Sequence, residues 1–381
     1  MIHLTSKLPS LGTTIFSVMS RLAHESGAIN LSQGYPDFDC DPELIALVTQ
    51  HMKAGHNQYA PMTGVPLLRE RIAEKTNRLY GANYHPESEV TVTAGGTQAI
   101  FTAIAALVHP NDEVIIFDPA YDSYAPAVKL AGGFVKSYEL SPPHYKIDWQ
   151  AVRKLISAHT RMIILNTPQN PTGTTLKEED IQELIAITKK TDILILSDEV
   201  YEHMVYDEQP HRSMAGYPEL RERSLICASF GKLFHNTGWK TGYCIAPAPL
   251  MEEFRKVQQF QVFSVNTPVQ YAIADFLADR SHYEELSGFY QAKRDYFSGL
   301  MQGSRFKLLP CEGSYFQTAH FDHISAEKDV DFAKRLTTEF GVAAIPVSAF
   351  YAKGTDYGII RFCFAKKDET LEKAAEQLHR I

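Results

Sequence analysis

Residues 229–243 read Ser-Phe-Gly-Lys-Leu-Phe-His-Asn-Thr-Gly-Trp-Lys-Thr-Gly-Tyr and place Lys232 in a turn of small residues. Apolar segments typical of buried strands precede the turn, at residues 225–228, and follow it, at residues 243–246. A lysine held between buried strands loses hydration, which disfavours the ammonium form and makes the amine a better nucleophile. Such an amine suits Schiff-base chemistry. Taken alone, the stretch fits equally well a surface lysine whose stem lies on apolar neighbours.

Two other segments favour the chemical interpretation. Residues 193–201 read Ile-Leu-Ile-Leu-Ser-Asp-Glu-Val-Tyr, an apolar run typical of a strand buried on both faces, with Asp198 at its carboxyl end. Open α/β sheets place their ligands at that end. Residues 165–173 read Leu-Asn-Thr-Pro-Gln-Asn-Pro-Thr-Gly, a buried strand running into a turn in which a proline holds Asn170 extended. Together these segments describe a pocket for pyridoxal phosphate. They supply an acid for a pyridinium nitrogen, an amide and a phenol for a ring oxygen, and a lysine for an aldehyde.

The three motifs, in this order, resemble class I aminotransferases of fold type I over nearly the whole chain. Within that family the chain is most similar to the branch of bacterial methionine aminotransferases and kynurenine/glutamine transaminases. The resemblance implies an aspartate-aminotransferase-like α/β fold: a large domain with a mostly parallel sheet flanked by helices, and a smaller α+β domain. It implies that Lys232 binds pyridoxal 5'-phosphate covalently and moves the proton, that Asp198 keeps the ring nitrogen protonated, and that Tyr201 and Asn170 hydrogen-bond the ring oxygen.

A phosphate site is expected at residues 94–97, Ala-Gly-Gly-Thr, which open a predicted helix after a predicted strand. Free backbone amides and the positive end of the helix dipole collect at such a turn. We expect Gly96 and Thr97 to contact the phosphate, with Ser229 and Lys240 as companion ligands. Most of the family has arginine at the last position, and lysine supplies a point charge in place of a bidentate fork.

Two tyrosines complete the predicted cofactor site. Tyr121 resembles the family aromatic that stacks on the pyridine ring, while Tyr124, three residues later, receives no role. Tyr59 lies in the loop 57–64, and a large aromatic side chain is unfavourable on the exposed surface of a monomer. It is therefore expected to contact another chain, and a tyrosine packed within its own loop is the alternative. In the family this loop enters the neighbouring subunit and its tyrosine reaches the cofactor phosphate. The resemblance therefore implies a homodimer with shared active sites.

The substrate carboxylate is expected at Arg361, which interrupts an apolar strand, Ile-Ile-Arg-Phe-Cys-Phe, at residues 359–364. A buried arginine needs an anion, and a structural salt bridge is the usual answer. In the family the matching arginine grips the substrate α-carboxylate through two hydrogen bonds. Asn170 belongs to the same group, as does Gly34, whose amide faces that carboxylate in the family. A glycine in a plain turn is the alternative for Gly34.

The substrate side chain is expected to be uncharged. No arginine follows Arg255 in the stretch 258–268, from which dicarboxylate-specific members contribute a second arginine, so a side-chain carboxylate would go unpaired. Aromatic residues offer apolar walls instead: Phe16, Tyr35, Phe260 and Phe263. The resemblance puts methionine first as the amino donor, followed by phenylalanine, tyrosine, histidine, glutamine or kynurenine, with a 2-oxo acid as acceptor.

Length and charge set the remaining expectations. A chain of 381 residues exceeds what one core usually organises. We predict an N-terminal arm with part of the small domain at 1–40, a large cofactor-binding domain at 41–280 and a small C-terminal domain at 281–381. A formal net charge of -8 provides no basic surface for nucleic acid, and membrane partners are not expected.

The cysteines and histidines point to a cytoplasmic protein without a metal. The 5 cysteines are widely spaced, which indicates neither a zinc site nor a disulfide framework. No apolar run suggests a signal peptide or a membrane span. His320 and His323 lack further convincing ligands in their neighbourhood, so no metal is predicted.

Three functions compete at this stage. The first is an aminotransferase, and the second is a cysteine-conjugate or cystathionine-type β-lyase on the same fold. The third is a non-enzymatic regulatory protein that kept the fold, since a fold does not guarantee a function. The joint presence of Lys232, Asp198 and Arg361 argues against the third.

Overall fold

The strands form three sheets in the computed structural model, which describes Ile2 and residues 4–381. The strands are β1 (Ile29–Asn30), β2 (Val90–Thr93), β3 (Glu113–Asp118), β4 (Phe134–Glu139), β5 (Thr160–Asn166), β6 (Leu194–Asp198), β7 (Ser224–Ser229), β8 (Gly242–Ile245), β9 (Lys307–Leu308), β10 (Phe316–His320), β11 (Val342–Ala343), β12 (Ile345–Pro346) and β13 (Ile359–Cys363).

The α-helices cover the sheets and connect their strands. They are α1 (Ile15–Ser26), α2 (Pro42–Lys53), α3 (Pro66–Tyr80), α4 (Pro86–Glu89), α5 (Gly96–Leu107), α6 (Tyr124–Leu130), α7 (Trp149–Leu155), α8 (Glu178–Thr188), α9 (Pro218–Arg221), α10 (Phe230–Leu233), α11 (Ala248–Gln261), α12 (Thr267–Phe276), α13 (Ser281–Glu284), α14 (Leu286–Leu300), α15 (Asp329–Glu339) and α16 (Asp368–Leu378). Several begin with proline at the first helical position, where its missing N–H needs no partner.

The largest sheet has seven strands in the order β2-β8-β7-β6-β5-β3-β4. β8 pairs antiparallel with both β2 and β7, whereas the other neighbouring pairs are parallel. The carboxyl ends of β2, β3, β5, β6 and β7 therefore lie along one edge, together with the start of β8. The prediction of an α/β fold with a mostly parallel sheet is confirmed.

Both faces of this sheet are buried, which explains the continuous apolar runs in the sequence. Along β5, Ile163 and Leu165 belong to one hydrophobic cluster, and Met162 and Ile164 belong to another. Successive side chains of a strand point to opposite faces, so each run supplies two layers of core.

A second, antiparallel sheet has four strands in the order β12-β13-β10-β9. Its strand β13 carries Arg361, opposite Thr318 of β10 and Ile345 of β12. The short strand β1 pairs in parallel with β11, which ties the N-terminal segment to the C-terminal part of the chain. This pairing agrees with assigning part of residues 1–40 to the small domain, although the domain boundaries stay predictions.

Some local features differ from what the sequence indicates. α6 contains Pro126, although proline usually breaks a helix; the proline lies in the first turn, where its missing N–H needs no helical partner. The sequence predicts one long helix from residue 282 to about 302, whereas the structure interrupts the helical stretch at Glu285, between α13 and α14. Within the described part of the chain, no helix has the length and apolar composition needed to cross a membrane.

Candidate active site

A cavity of about 320 Å³ opens at the carboxyl edge of the seven-stranded sheet. It is lined by every residue that we expected to contact the cofactor or the substrate carboxylate except Tyr59: Gly34, Gly96, Thr97, Tyr121, Asn170, Asp198, Tyr201, Ser229, Lys232, Lys240 and Arg361. These residues are spread over more than 320 positions of the sequence, from 34 to 361. The sheet brings them together because most of them follow strands that end at this edge.

Lys232 lies in the short helix α10, directly after β7, and its amine points into the cavity. Its Nζ donates hydrogen bonds to the carbonyl of Gly34 at 2.8 Å and to the hydroxyl of Tyr315 at 2.6 Å. Desolvation lowers the pKa of Lys232 from 10.5 to about 8, and the positive charge of Arg361 acts in the same direction. Lys232 therefore has the environment of a nucleophilic amine and not that of a surface lysine.

Asp198 is the last residue of β6 and is 4% exposed. Its Oδ2 accepts a hydrogen bond from the hydroxyl of Tyr124 at 2.5 Å, and its Oδ1 accepts one from the backbone amide of Val200 at 3.3 Å. Burial raises the pKa of Asp198 to about 6, while the hydrogen bonds and the nearby Lys232 lower it. A cationic group placed at this carboxyl would hold it ionised.

The N-terminus of α5 forms a cradle for an anion. Gly95 precedes the helix with a φ of 85°, and a Cβ at that position would lie 3.3 Å from Nζ of Lys240. A Cβ on Gly242 would lie 3.0 Å from the backbone nitrogen of Gly96, so only glycine lets β8 pass this close to the start of the helix. The lysine charge and the free amides of the first turn consequently face the same space.

Arg361 is 1% exposed and has no carboxylate partner among the described residues. Its Nη1 donates to Oδ1 of Asn170 at 2.7 Å, and its Nη2 donates to the carbonyl of Ser32 at 2.8 Å. The guanidinium lies 3.9 Å from the ring centre of Phe316, while its Nε is buried without a hydrogen-bond partner. The structural salt bridge that we considered is absent from this part of the chain, and an external carboxylate would supply the missing anion.

Gly34 is packed against the small sheet and is more than a flexible turn. A Cβ at this position would lie 2.8 Å from Cζ of Phe316, so a larger residue would displace that ring. The carbonyl of Gly34 accepts hydrogen bonds from Lys232 and from Tyr315. The residue therefore links the N-terminal segment to the lysine.

Several predicted aromatic residues lie outside the cavity of this single chain. Tyr59 is 81% exposed and contacts the ring of Phe263, and Phe260 is 90% exposed. Of the four expected pocket walls, Phe16 lines the cavity, whereas Tyr35, Phe260 and Phe263 do not. The prediction that those three form the pocket wall does not hold within one chain.

Sequence reasoning missed two tyrosines that touch the central residues. Tyr124 hydrogen-bonds Asp198, and Tyr315 hydrogen-bonds Lys232. Tyr124 lies in the motif that contains Tyr121, and that proximity was the available signal. Tyr315 immediately precedes β10, and nothing in its local sequence connects it with a lysine 83 positions earlier.

Comparisons with known proteins give one consistent result. The family model for aminotransferase class I and II matches residues 26–378. The methionine aminotransferase of Escherichia coli (strain K12) is 52% identical, over 99% of this chain and 98% of that protein. Kynurenine–oxoglutarate transaminase 1 of Mus musculus is 35% identical, over 94% of this chain and 93% of its own length. A solved Escherichia coli structure, described as identifying a methionine aminotransferase function, superposes with a TM-score of 0.98 at 51% identity and covers 100% of both chains.

The lowered pKa of Lys232 predicts how its reactivity depends on pH. The amine becomes neutral above its pKa, so the rate of its reaction with pyridoxal phosphate should rise to a plateau with a midpoint near 8, not near 10.5. Borohydride trapping followed by peptide mass spectrometry measures this rate at Lys232. Nα-acetyl-lysine, treated in the same way, is the control for an unperturbed amine, with a midpoint of about 10.4. An identical midpoint for Lys232 and this free amine would contradict the desolvated environment.

Proposed function

The chain belongs to the class I and II aminotransferases, and on that premise we propose that it transfers the amino group of methionine, or of another uncharged amino acid, to a 2-oxo acid. Membership makes it a pyridoxal-phosphate-dependent transaminase. The observation that carries the proposal is the buried Arg361, whose Nε has no partner and whose guanidinium lines the same cavity as Lys232.

The cavity residues fit pyridoxal phosphate by charge and by space. The cradle at the start of α5, where glycines leave room, would hold the phosphate through Gly96, Thr97, Ser229 and Lys240. Tyr121 would lie against the ring, where an aromatic face favours stacking. We assign three residues to the polar atoms of the ring: Asp198 to the ring nitrogen, and Asn170 and Tyr201 to the ring oxygen.

Lys232 is proposed as the covalent anchor of the cofactor and as the base that moves the substrate proton. When bound, the cofactor supplies an aldehyde for amines and a ring that accepts an electron pair. An amine with a pKa near 8 can hold or release a proton near neutral pH, which a base of this kind requires. The carbonyl of Gly34 and the hydroxyl of Tyr315 orient Nζ when it is free.

Arg361 is proposed to bind the substrate α-carboxylate, and its environment favours this role over a structural one. Its Nη1 already fixes Asn170, and stacking on Phe316 fixes the guanidinium plane. A carboxylate arriving at the unpaired Nε would satisfy a buried donor and neutralise a buried charge together. Gly34 lines the same cavity, and its missing side chain lets the ring of Phe316 pack closely, the ring on which the guanidinium lies.

The charges around the cavity disfavour a second carboxylate on the substrate. Arg361 is the sole arginine among the described lining residues, and Asp122 adds a negative charge to the lining. Arg255 does not line this cavity. Its guanidinium donates hydrogen bonds to Thr91 and to the carbonyls of Glu87 and Val90. An uncharged side chain avoids the repulsion from Asp122, and methionine is the substrate named for the relative with 52% identity.

A substrate panel tests this proposal. We expect kcat/KM for methionine and phenylalanine to exceed that for aspartate by at least about tenfold. Asp122→Asn should raise kcat/KM for aspartate by about tenfold and change that for methionine much less, because only aspartate brings a second carboxylate toward the removed charge.

Asp192→Asn is the matched control, since this exposed aspartate precedes β6 at the opposite end from Asp198. Aspartate turned over better than both methionine and phenylalanine by the wild-type protein would reject the proposed substrate class. Pyruvate and ammonia as the main products from a cysteine conjugate, with no transfer from methionine, would favour a β-lyase.

We also propose that the protein acts as a homodimer with shared active sites. Tyr59, Phe263 and Phe260 are exposed to 81%, 43% and 90%, and Phe260 lines a shallow surface cavity with Met62. Large exposed apolar side chains grouped in this way favour burial against another chain. A second copy of this chain would cover them and would let Tyr59 reach the phosphate cradle of its partner.

Mixing two defective variants tests the shared site. A mixed dimer contains one Lys232→Ala chain and one Tyr59→Ala chain. One of its two sites then has an intact Lys232 from one chain and an intact Tyr59 from the other, while the second site lacks both residues. Co-refolded mixtures should be more active than either variant alone, and analytical ultracentrifugation should show a dimer. Activity that only averages the two separate variants, or a fully active monomer, would contradict the shared site.

A further inference from the structure

Tyr124 begins α6, just beyond β3, and is 2% exposed. Its ring packs edge-on against Tyr121, with centroids 5.7 Å apart and planes inclined by 77°. Its hydroxyl donates to Oδ2 of Asp198 at 2.5 Å, a length typical of a hydroxyl that donates to a carboxylate.

The two cavities beside Tyr124 show where it stands. Its ring lines a neighbouring cavity of about 480 Å³, while Asp198 lines the candidate active-site cavity of about 320 Å³. Tyr121, Asn166 and Asn170 line both. Tyr124 therefore stands on the far side of Asp198 from the cofactor space, with its hydroxyl on the carboxyl group.

We propose that Tyr124 is a positioning residue for the transaminase reaction: its hydroxyl fixes the orientation of the Asp198 carboxyl and keeps it ionised toward the ring nitrogen of the cofactor. This inference rests on the proposed role of Asp198. The carboxyl is held at two points, since Oδ1 also accepts from the amide of Val200. Lone pairs of the two oxygens stay available for a ring N–H.

The local charges give this contact a consequence for pH dependence. Burial raises the pKa of Asp198 to about 6, and the hydrogen bond from Tyr124 is the largest influence that lowers it. Burial also raises the pKa of Tyr124, so its hydroxyl keeps the proton that it donates. Other titratable or charged groups around the carboxyl include Lys232, Glu199, Tyr121, Tyr201 and Cys227. Removal of the hydroxyl should raise the pKa of Asp198 further and leave less carboxylate near neutral pH.

The test measures the affinity of the cofactor-free protein for pyridoxal 5'-phosphate, by fluorescence titration from about pH 6 to about pH 9. Tyr124→Phe keeps the ring that lines the neighbouring cavity and removes only the hydroxyl. We expect its affinity near neutral pH to fall roughly tenfold, because a hydrogen bond to a charged group is lost. As the pH is lowered, the affinity of the variant should also begin to fall at a higher pH than that of the wild-type protein, because its Asp198 carboxyl is protonated at a higher pH.

Tyr84→Phe is the matched control, because its hydroxyl is buried without a hydrogen-bond partner. It should bind the cofactor like the wild-type protein across the pH range. Protonation of the free cofactor affects the measured affinity of every variant equally. A difference between the affinity–pH curves of Tyr124→Phe and Tyr84→Phe is therefore caused by the protein.

The Asp198→Asn variant distinguishes a failure of the role of Tyr124 from a failure of the role of Asp198. If Tyr124 acts through Asp198, adding Tyr124→Phe to Asp198→Asn should change the affinity little, whereas a merely structural tyrosine would lower it again. Equal affinities for Tyr124→Phe and the wild-type protein at every pH, with Asp198→Asn impaired, would overturn the role of Tyr124 alone. An Asp198→Asn variant that binds like the wild-type protein would overturn the assignment of Asp198 and the inference with it.

Discussion

Asp198, Lys232 and Arg361 are ionisable side chains collected in one cavity, and none of them forms an ion pair within the described residues. Holding a charge in a protein interior without a partner costs on the order of several kcal/mol. The fold offsets part of this cost with neutral partners: a tyrosine for the acid, a carbonyl and a tyrosine for the lysine, and an amide and a carbonyl for the arginine. The remaining imbalance is what a cofactor with a cationic ring and a substrate carboxylate would relieve.

Sheet topology is what makes this arrangement possible. β2, β3, β5, β6 and β7 end at the same edge, so loops distant in sequence converge there. β8 runs in the opposite direction and begins at that edge, which carries Lys240 toward the start of α5. The antiparallel sheet contributes Arg361 from its strand β13. The site thus draws its lining from both sheets and from the N-terminal segment that contains Gly34.

The sequence predicts those parts of the molecule whose signal is local. Long apolar runs identify the parallel strands, and motifs at strand ends identify Asp198, Asn170 and Lys232, because that edge is where ligands bind. Contacts made only by tertiary packing are invisible, as with Tyr315, which meets Lys232 through the approach of the second sheet. Two-residue strands such as β1 and β11 carry no periodicity. The proposed contribution of Tyr59 to a second chain rests mainly on the family resemblance, because the local pattern says only that an aromatic residue lies in a loop.

The central claim is that the chain transfers amino groups through Lys232, and one measurement tests it most directly. The purified holoenzyme and its Lys232→Ala variant are compared with methionine and a series of 2-oxo acids, while their thermal unfolding is followed in parallel. The account predicts that the wild-type protein forms the 2-oxo acid of methionine and the new amino acid in equal amounts. It predicts that Lys232→Ala unfolds at a similar temperature and gives no measurable transfer. A folded Lys232→Ala variant that transfers amino groups at the wild-type rate would contradict the account.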